Sequence, residues 1–298
     1  MIQHEDRQLN TMPFRPLGLT RRVLRNFYNN ECEVYVTYGM PEGIGKSAHT
    51  NLSLADIYGY MSEHDSEKVR YMKVKNNERP RDTEIWKLDW ERAKEFIHYQ
   101  PEDIVRLCRE MLVKGRREPL LHWDDGGTWL NAMEYTDPFV IAFMEYLPLA
   151  RSNWGGIDIS TPVEEWVLKK LRTARGVVHI EIIKTGGDLN VWKPRRATGY
   201  KIERYIGGRK IYYPRQWIDN YPGIMDDGFY HWYKPRRDQY TLIATLRMEK
   251  ALAKRKEKGF NVAFDENVLD EARRQIEHAN DLSQDFREVI AQATPGER

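Results

Sequence analysis

A chain of 298 residues, 41% hydrophobic and 31% charged, can bury a sizeable core beneath a solvated surface, as one large domain or one domain with an appendage. The net charge of +2 does not announce a nucleic-acid binder, and no apolar run approaches the roughly 18 residues of a membrane span. Two cysteines, Cys32 and Cys108, are too few for a disulfide framework or a cysteine zinc site, and the amino terminus MIQHEDRQLN lacks an apolar signal core. The sequence therefore predicts a soluble protein of the reducing cytoplasm.

The first 30 residues are polar and basic, with Arg21 to Tyr28 read as a short helix or an arm. Glu33 to Tyr38, EVYVTY, is short, β-branched and aromatic, and runs straight into a glycine, as a buried strand entering a turn does. Lys46 to Tyr60 spaces Leu52, Leu54, Ile57 and Tyr60 as a helix. Ser62 to Arg92 is charged and irregular and reads as an insertion with a short hairpin at Asn76-Asn77. Glu95 to Tyr99 is the second strand, and Pro101 opens a helix through Met111. EPLLHWDD forms a third strand ending in two aspartates, followed by a helix to about Leu149. Gly155 to Thr161 is the fourth strand, Pro162 to Ala174 a helix, and Gly176 to Lys184 the fifth strand.

Strands alternating with helices predict an α/β fold, a mostly parallel sheet with helices on both faces. Beyond it, TGYKIERY and RKIYY read as an antiparallel strand pair around Gly207-Gly208, followed by a loop rich in aromatic residues, Pro and Gly to about Trp232. Helix returns from Asp238 to Lys258, and Phe264 to Gln292 reads as two charged helices. The expected organisation is an arm (1–30), a core (31–190), a strand-pair and helix region (191–260) and a charged tail (261–298).

Between the first strand and the first helix lies YGMPEGIGKSAH, Tyr38 to His49. A phosphate loop normally spaces its glycines by four residues before Gly-Lys-Ser/Thr; here five, Met40 to Ile44, separate Gly39 from Gly45. Consecutive backbone N–H groups and a helix N-terminus point at one anion in such a loop, and glycines let the backbone approach it. Gly39, Gly43, Ile44, Gly45, Lys46, Ser47 and Ala48 are the candidate cradle. Lys46 would reach the β- and γ-phosphates and Ser47 would hold a metal ion. The surplus residue falls before Gly43, leaving Gly-Ile-Gly-Lys-Ser intact.

A nucleotide with magnesium also needs a carboxylate at a neighbouring strand end. Asp124 stands there, as the second metal-site candidate, and Asp125 could polarise the attacking water. Their distance along the chain is compatible with the two strands lying side by side. By itself Asp-Asp-Gly-Gly also reads as a turn. At the end of the fourth strand, Ser160 or Thr161 could hydrogen-bond the γ-phosphate or the water, while Thr161 before Pro162 equally suits a helix cap. Arg172 or Arg175 could serve as an arginine finger toward a neighbouring subunit, or simply face solvent.

In order, YGMPEGIGKS, PLLHWDDGGTWL and DISTPVEEWVLKKLR resemble the P-loop ATPases of the RecA/AAA+ kind. More narrowly they are similar to uncharacterised ATPases of archaeal plasmids and viruses, which also pair a Trp-Asp-Asp strand end with a Trp-Leu helix. The resemblance covers about Val34 to Lys184 and extends weakly to HWYKPRRDQY. It implies a RecA-like sheet, ATP and magnesium, homo-oligomeric rings, and work on DNA such as replication initiation, partition or translocation. The chain departs from the pattern in its lengthened loop and in Asp125, where Glu is usual; the first bears on nucleotide affinity, the second on hydrolysis rate.

Other features have plainer readings. His49, His98 and His122 show no metal-site spacing and read as packing or surface residues. Trp123 and Trp129 pack on the sheet, and Cys108 reads as core. Tyr230, Trp232 and Tyr233 beside Lys234, Arg236 and Arg237 suit either a packed aromatic corner with a basic rim or stacking on single-stranded nucleic acid. Two rival functions remain open: a small-molecule kinase whose lid is the insertion, and a nucleotide-binding switch without turnover.

Overall fold

Parallel strands covered on both faces need apolar side chains on both. The EVYVTY run forms strand β1 (Glu33–Tyr38), with Tyr35, Val36 and Thr37 fully buried. Strands β3 (Glu118–Trp123) and β4 (Trp154–Thr161) are buried at every position. With β2 (Ile97–His98) and β5 (Val178–Lys184) they make a parallel sheet in the order β2-β3-β4-β1-β5. This computed structural model describes residues 16–64, 86–131, 133, 135–174, 176–185, 194–206, 209–212, 216–223 and 225–257.

The sheet continues antiparallel. β6 (Pro194–Ile206) pairs with β5 on one side and β8 (Trp217–Pro222) on the other, and its second half pairs with β7 (Arg209–Tyr212). The mostly parallel α/β sheet closed by antiparallel strands is thus the fold class the sequence implies. One expectation is corrected: β1 and β3 are not neighbours, because β4 lies between them. The chain leaves β1 for the β2 edge, steps back through β3 and β4, then crosses to β5 on the other side of β1. That reversal opens a crevice at the carboxyl ends of the strands around β1, where such sheets bind ligands.

Helices α1 (Gly18–Tyr28), α2 (Lys46–His64), α3 (Trp90–Lys94), α4 (Pro101–Val113), α5 (Pro138–Tyr146) and α6 (Lys169–Arg172) connect and cover the strands. Neighbouring residues of β3 show the two covered faces, since successive side chains alternate. His122 points to Asp158, which also accepts from Thr50 of α2; Trp123 packs edge-on against Phe139 and Phe143 of α5, at 6.0 and 5.2 Å between ring centroids. α2 is buried without a break from Ala48 to Tyr60, polar residues included.

Elsewhere the chain departs from the local pattern. α2 runs on to His64, into the segment read as an insertion. That segment ends packed: Trp86 is buried edge-on against Tyr60 at 4.9 Å and donates its indole N–H to Asp56 O at 2.7 Å. The Asn76-Asn77 hairpin and the tail helices from Phe264 lie outside the described residues. The helix expected up to Leu149 is a 3-10 turn at Gly126–Thr128, then α5 with Asp137 capping Phe139 N at 2.8 Å, then a 3-10 turn at Leu147–Ser152. Pro162 to Ala174 is not one helix either. Val167 bridges Asn131 and Leu168 N–H donates to Leu130 O at 2.9 Å, so only a 3-10 turn (Glu164–Trp166) and α6 form. The expected aromatic loop contains β8, and α7 (Asp227–Glu257) starts before Pro235 rather than after it. Cys108 is half-buried rather than core. The chain divides into two compact units, one ending at Phe229 and one beginning at Tyr230, and none of the described helices is long and apolar enough to cross a membrane.

Candidate functional site

The loop between β1 and α2 sits at the crevice. Its surplus residue is absorbed in an exposed turn, Met40 to Gly43, closed where Ile44 N–H donates to Pro41 O at 3.1 Å. Gly43 at φ +75° and Gly45 at φ +108° adopt backbone conformations that a side chain would strain, so the Gly-Ile-Gly end is required by geometry. Gly39 donates its N–H to Pro162 O, tying the loop to the end of β4. Lys46 opens α2 with its side chain folded inward, 8% exposed, and donates its ammonium to Gly39 O at 3.3 Å across the mouth of the loop. Ser47 and the buried Ala48 follow in the first turn, where the helix N-terminus favours an anion.

Asp124 follows the last residue of β3 and is almost wholly buried. The Ser47 hydroxyl donates to Asp124 Oδ1 at 2.9 Å and the Ser160 hydroxyl donates to the same oxygen at 2.8 Å. Residues from the loop helix, β3 and β4 therefore converge on one carboxylate. Behind it, His122 lies 3.6 Å from Asp124 Oδ1 through Nε2, too long for a hydrogen bond but close for charge, and 2.8 Å from Asp158 Oδ2 through Nδ1. Thr37 and Thr50 hydroxyls also donate to Asp158, the latter at 3.1 Å. Burial alone would lower the His122 imidazolium, but the Asp124 and Asp158 carboxylates outweigh it and hold its pKa at about 9. His122 is fully buried, as a packing residue is, and its bond to Asp158 also ties it to the carboxylates behind the loop.

Oxygen donors of this kind suit a hard cation. Ser47 Oγ and the Asp124 carboxylate would suit a magnesium ion. Among the described residues no cluster of three or more His, Cys, Asp or Glu offers a closed protein cage.

The other site candidates separate. Asp125, half-buried in the left-handed conformation (φ 54°), donates its N–H to Ser160 Oγ at 2.8 Å, so the second aspartate is oriented through the same serine. Thr161 does not cap a helix: it ends β4, fully buried, and its hydroxyl donates to Val163 O at 3.0 Å. Gly127 presses on it so closely that a Cβ there would stand 2.4 Å from Thr161 Oγ1. Arg172 is half-buried on α6 and Arg175 lies outside the described residues. His98 is half-buried, its ring against Glu95 O at 3.1 Å, and Trp123 and Trp129 both donate to Tyr99 O. In the second unit, Tyr230, Lys234 and Arg236 are exposed on α7 while Tyr233 is buried, and the Arg236 guanidinium lies 4.3 Å from the Trp232 ring centre.

Four residues against the loop carry no sequence signal. Arg195 of β6 donates Nε to Ile44 O at 2.6 Å, and Tyr221 of β8 donates its hydroxyl to Gly45 O at 2.9 Å. His49 in the first turn of α2 is fully buried, 3.0 Å from Asp219 of β8, and its ring lies 4.9 Å from that of Tyr221. Partners 151 to 176 residues apart leave no spacing to read.

No family model matches the chain, and no curated protein matches it. Among solved structures, it is similar to the N-terminal domain of zonular occludens toxin from Neisseria meningitidis, at 15% identity and a TM-score of 0.30, covering 67% of this chain and 97% of that one. It is also similar to a KaiC-like protein from the archaeon Pyrococcus horikoshii, at 12% identity and a TM-score of 0.31, covering 61% of this chain and 89% of that one. Likeness at this level bears on neither activity nor partner.

Proposed function

We propose that the chain is a magnesium-dependent P-loop ATPase. The observation that carries this reading is the meeting of Ser47 and Asp124 at 2.9 Å, at the start of the helix that the glycine loop and Lys46 open. The amides from Gly43 to Ala48 bind the phosphates, and Lys46, released from Gly39 O, neutralises the β- and γ-phosphates. Ser47 and Asp124 would hold a magnesium ion, which would supply positive charge beside the transferring phosphoryl group. Asp125, with its backbone fixed on Ser160, orients water for in-line attack on the γ-phosphorus and takes its proton, while the bond from that phosphorus to the β–γ bridging oxygen breaks and ADP leaves with the electron pair. Thr161 reports on the γ-phosphate indirectly, through Gly127 and the turn that carries Asp125. Arg172 acts across a contact between copies of the chain.

Lys46→Ala is the test. Loss of ATP binding or turnover is expected, and unchanged turnover would rule the site out. ADP release without an added acceptor separates hydrolysis from kinase chemistry, and tight ATP binding without ADP formation would identify a switch. A DNA-linked task of a mobile element is supported by the exposed Tyr230 and the Trp232–Arg236 stack, which suit base stacking and phosphate contact. ATPase rates with and without single- and double-stranded DNA test that part separately.

A further inference from the structure

We infer that Arg195 and Tyr221, on the antiparallel extension of the sheet, are positioning residues that aim the phosphate-facing amides of the loop from its outer side. The inference rests on the proposed nucleotide site. In a planar trans peptide the carbonyl and the N–H of one unit point in opposite directions. Ile44 O and Gly45 N–H share a unit, as do Gly45 O and Lys46 N–H. Arg195 holds the first carbonyl at 2.6 Å; the second, which also accepts the first bond of α2 from His49 N–H at 3.1 Å, receives the Tyr221 hydroxyl at 2.9 Å. Fixing two consecutive carbonyls outward turns the two partner amides toward the hollow of the loop, where a β-phosphate would sit.

The brace falls at a glycine, where the loop passes into α2. Gly45, at φ +108°, has no side chain to hold its peptide plane. A Cβ at Gly45 would meet Arg195 Cγ at 3.4 Å and Tyr221 OH at 3.5 Å, ordinary contact distances, so both side chains pack directly on this residue and its positive φ is what calls for glycine. Arg195 and Tyr221 are themselves 7% and 2% exposed, so both bonds are shielded from competing water. A guanidinium donor is charge-assisted, and it polarises the peptide so that the amide on the far side becomes a better donor to an anion. His49 and Asp219, 3.0 Å apart, add a tie between the same strand β8 and the first turn of α2.

The test uses the full chain and fluorescent ATP and ADP analogues, with steady-state turnover and thermal melting beside them. Arg195→Met and Tyr221→Phe are expected to weaken binding of both nucleotides about ten-fold or more, the size of effect seen when groups supporting a ligand are removed, while kcat at saturation changes little. Arg195→Lys, which keeps a cationic donor, recovers part of the affinity. A merely structural role would instead lower the melting temperature with affinity intact in the folded protein. Unchanged affinity in folded Arg195→Met and Tyr221→Phe, with binding abolished in Lys46→Ala, overturns the positioning role and leaves the proposed function standing. Failure of the unaltered chain to bind either analogue, or unchanged binding in Lys46→Ala, overturns both. Should Arg195→Met not fold, Tyr221→Phe, which removes a single oxygen, decides the matter.

Discussion

Ser47 and Asp124, 77 residues apart in the chain, meet at 2.9 Å because the loop helix and β3 both deliver their ends to the same edge of the sheet, with β4 between the strands supplying Ser160 to the same carboxylate oxygen. A carboxylate held by two hydroxyls is fixed in direction before any cation arrives. Replacing it should therefore alter the metal dependence before anything else. Asp124→Asn is expected to raise the magnesium concentration for half-maximal ATPase activity about 10- to 100-fold. An unshifted magnesium titration would remove Asp124 from the metal site.

Asp125 has a different task and a different signature. Its backbone is anchored through Ser160, and in the proposed reaction its carboxylate serves the chemical step. Asp125→Asn should lower kcat by about 10²- to 10⁴-fold, the usual weight of a general base, with little change in nucleotide affinity. Parallel loss of binding and turnover would show that Asp125 instead shapes the loop.

The buried His122 makes a prediction about alkali. Its folded-state pKa is raised to about 9, so the charged form is favoured by folding. That stabilisation is full below the unfolded value of about 6.5 and is lost as pH rises through about 9. Cys32, pushed up to about 12, and Cys108, also raised, add to the loss where unfolded thiols ionise, above about 8.5. The readout is therefore the difference between the unaltered protein and His122→Gln in nucleotide-free melts between about pH 6 and 9.5. Identical slopes would mean that the imidazole is neutral in the folded chain.

At the opposite end of the strands, Glu33 lies between Arg22 and Lys201, accepting from Nε and Nη2 along one edge of the guanidinium and 2.6 Å from the Lys201 ammonium. Burial raises its carboxyl, but the two cations more than compensate and bring its pKa down to about 2. Its stabilisation is present above the unfolded value of about 4.3 and disappears as pH falls through about 2. Glu33→Gln should cost about 2 kcal/mol near neutral pH, since two half-buried cations lose their partner, and should flatten the acid limb of the stability profile. Denaturant titrations at about pH 7 and pH 3 would show the gap narrowing.

Much of the core was legible because its signals are local. EVYVTY gave β1 to the residue, and Gly-Ile-Gly-Lys-Ser between a strand and a helix marked the loop. The order of strands was not legible: nothing local says that β4 inserts between β1 and β3. Pro235 hid the start of α7, because proline ordinarily breaks a helix interior, and WIDNYP, with polar residues and a terminal proline, read as loop rather than as β8. His122 carried no spacing signal either. Its role depends on Asp158, brought opposite it only by the pairing of β3 with β4.

Strand β8 ends at Pro222, yet its Asp219 accepts the amides of Gly18 and Leu19 and its Tyr221 reaches Gly45. On a ribosome, the 201 positions that separate Asp219 from Gly18 must be synthesised before the two can meet. Gly18 and Gly45 thus wait for partners made much later. A nascent chain arrested shortly after Lys184 would carry every residue assigned to the chemistry and still lack the grip that sets its amides.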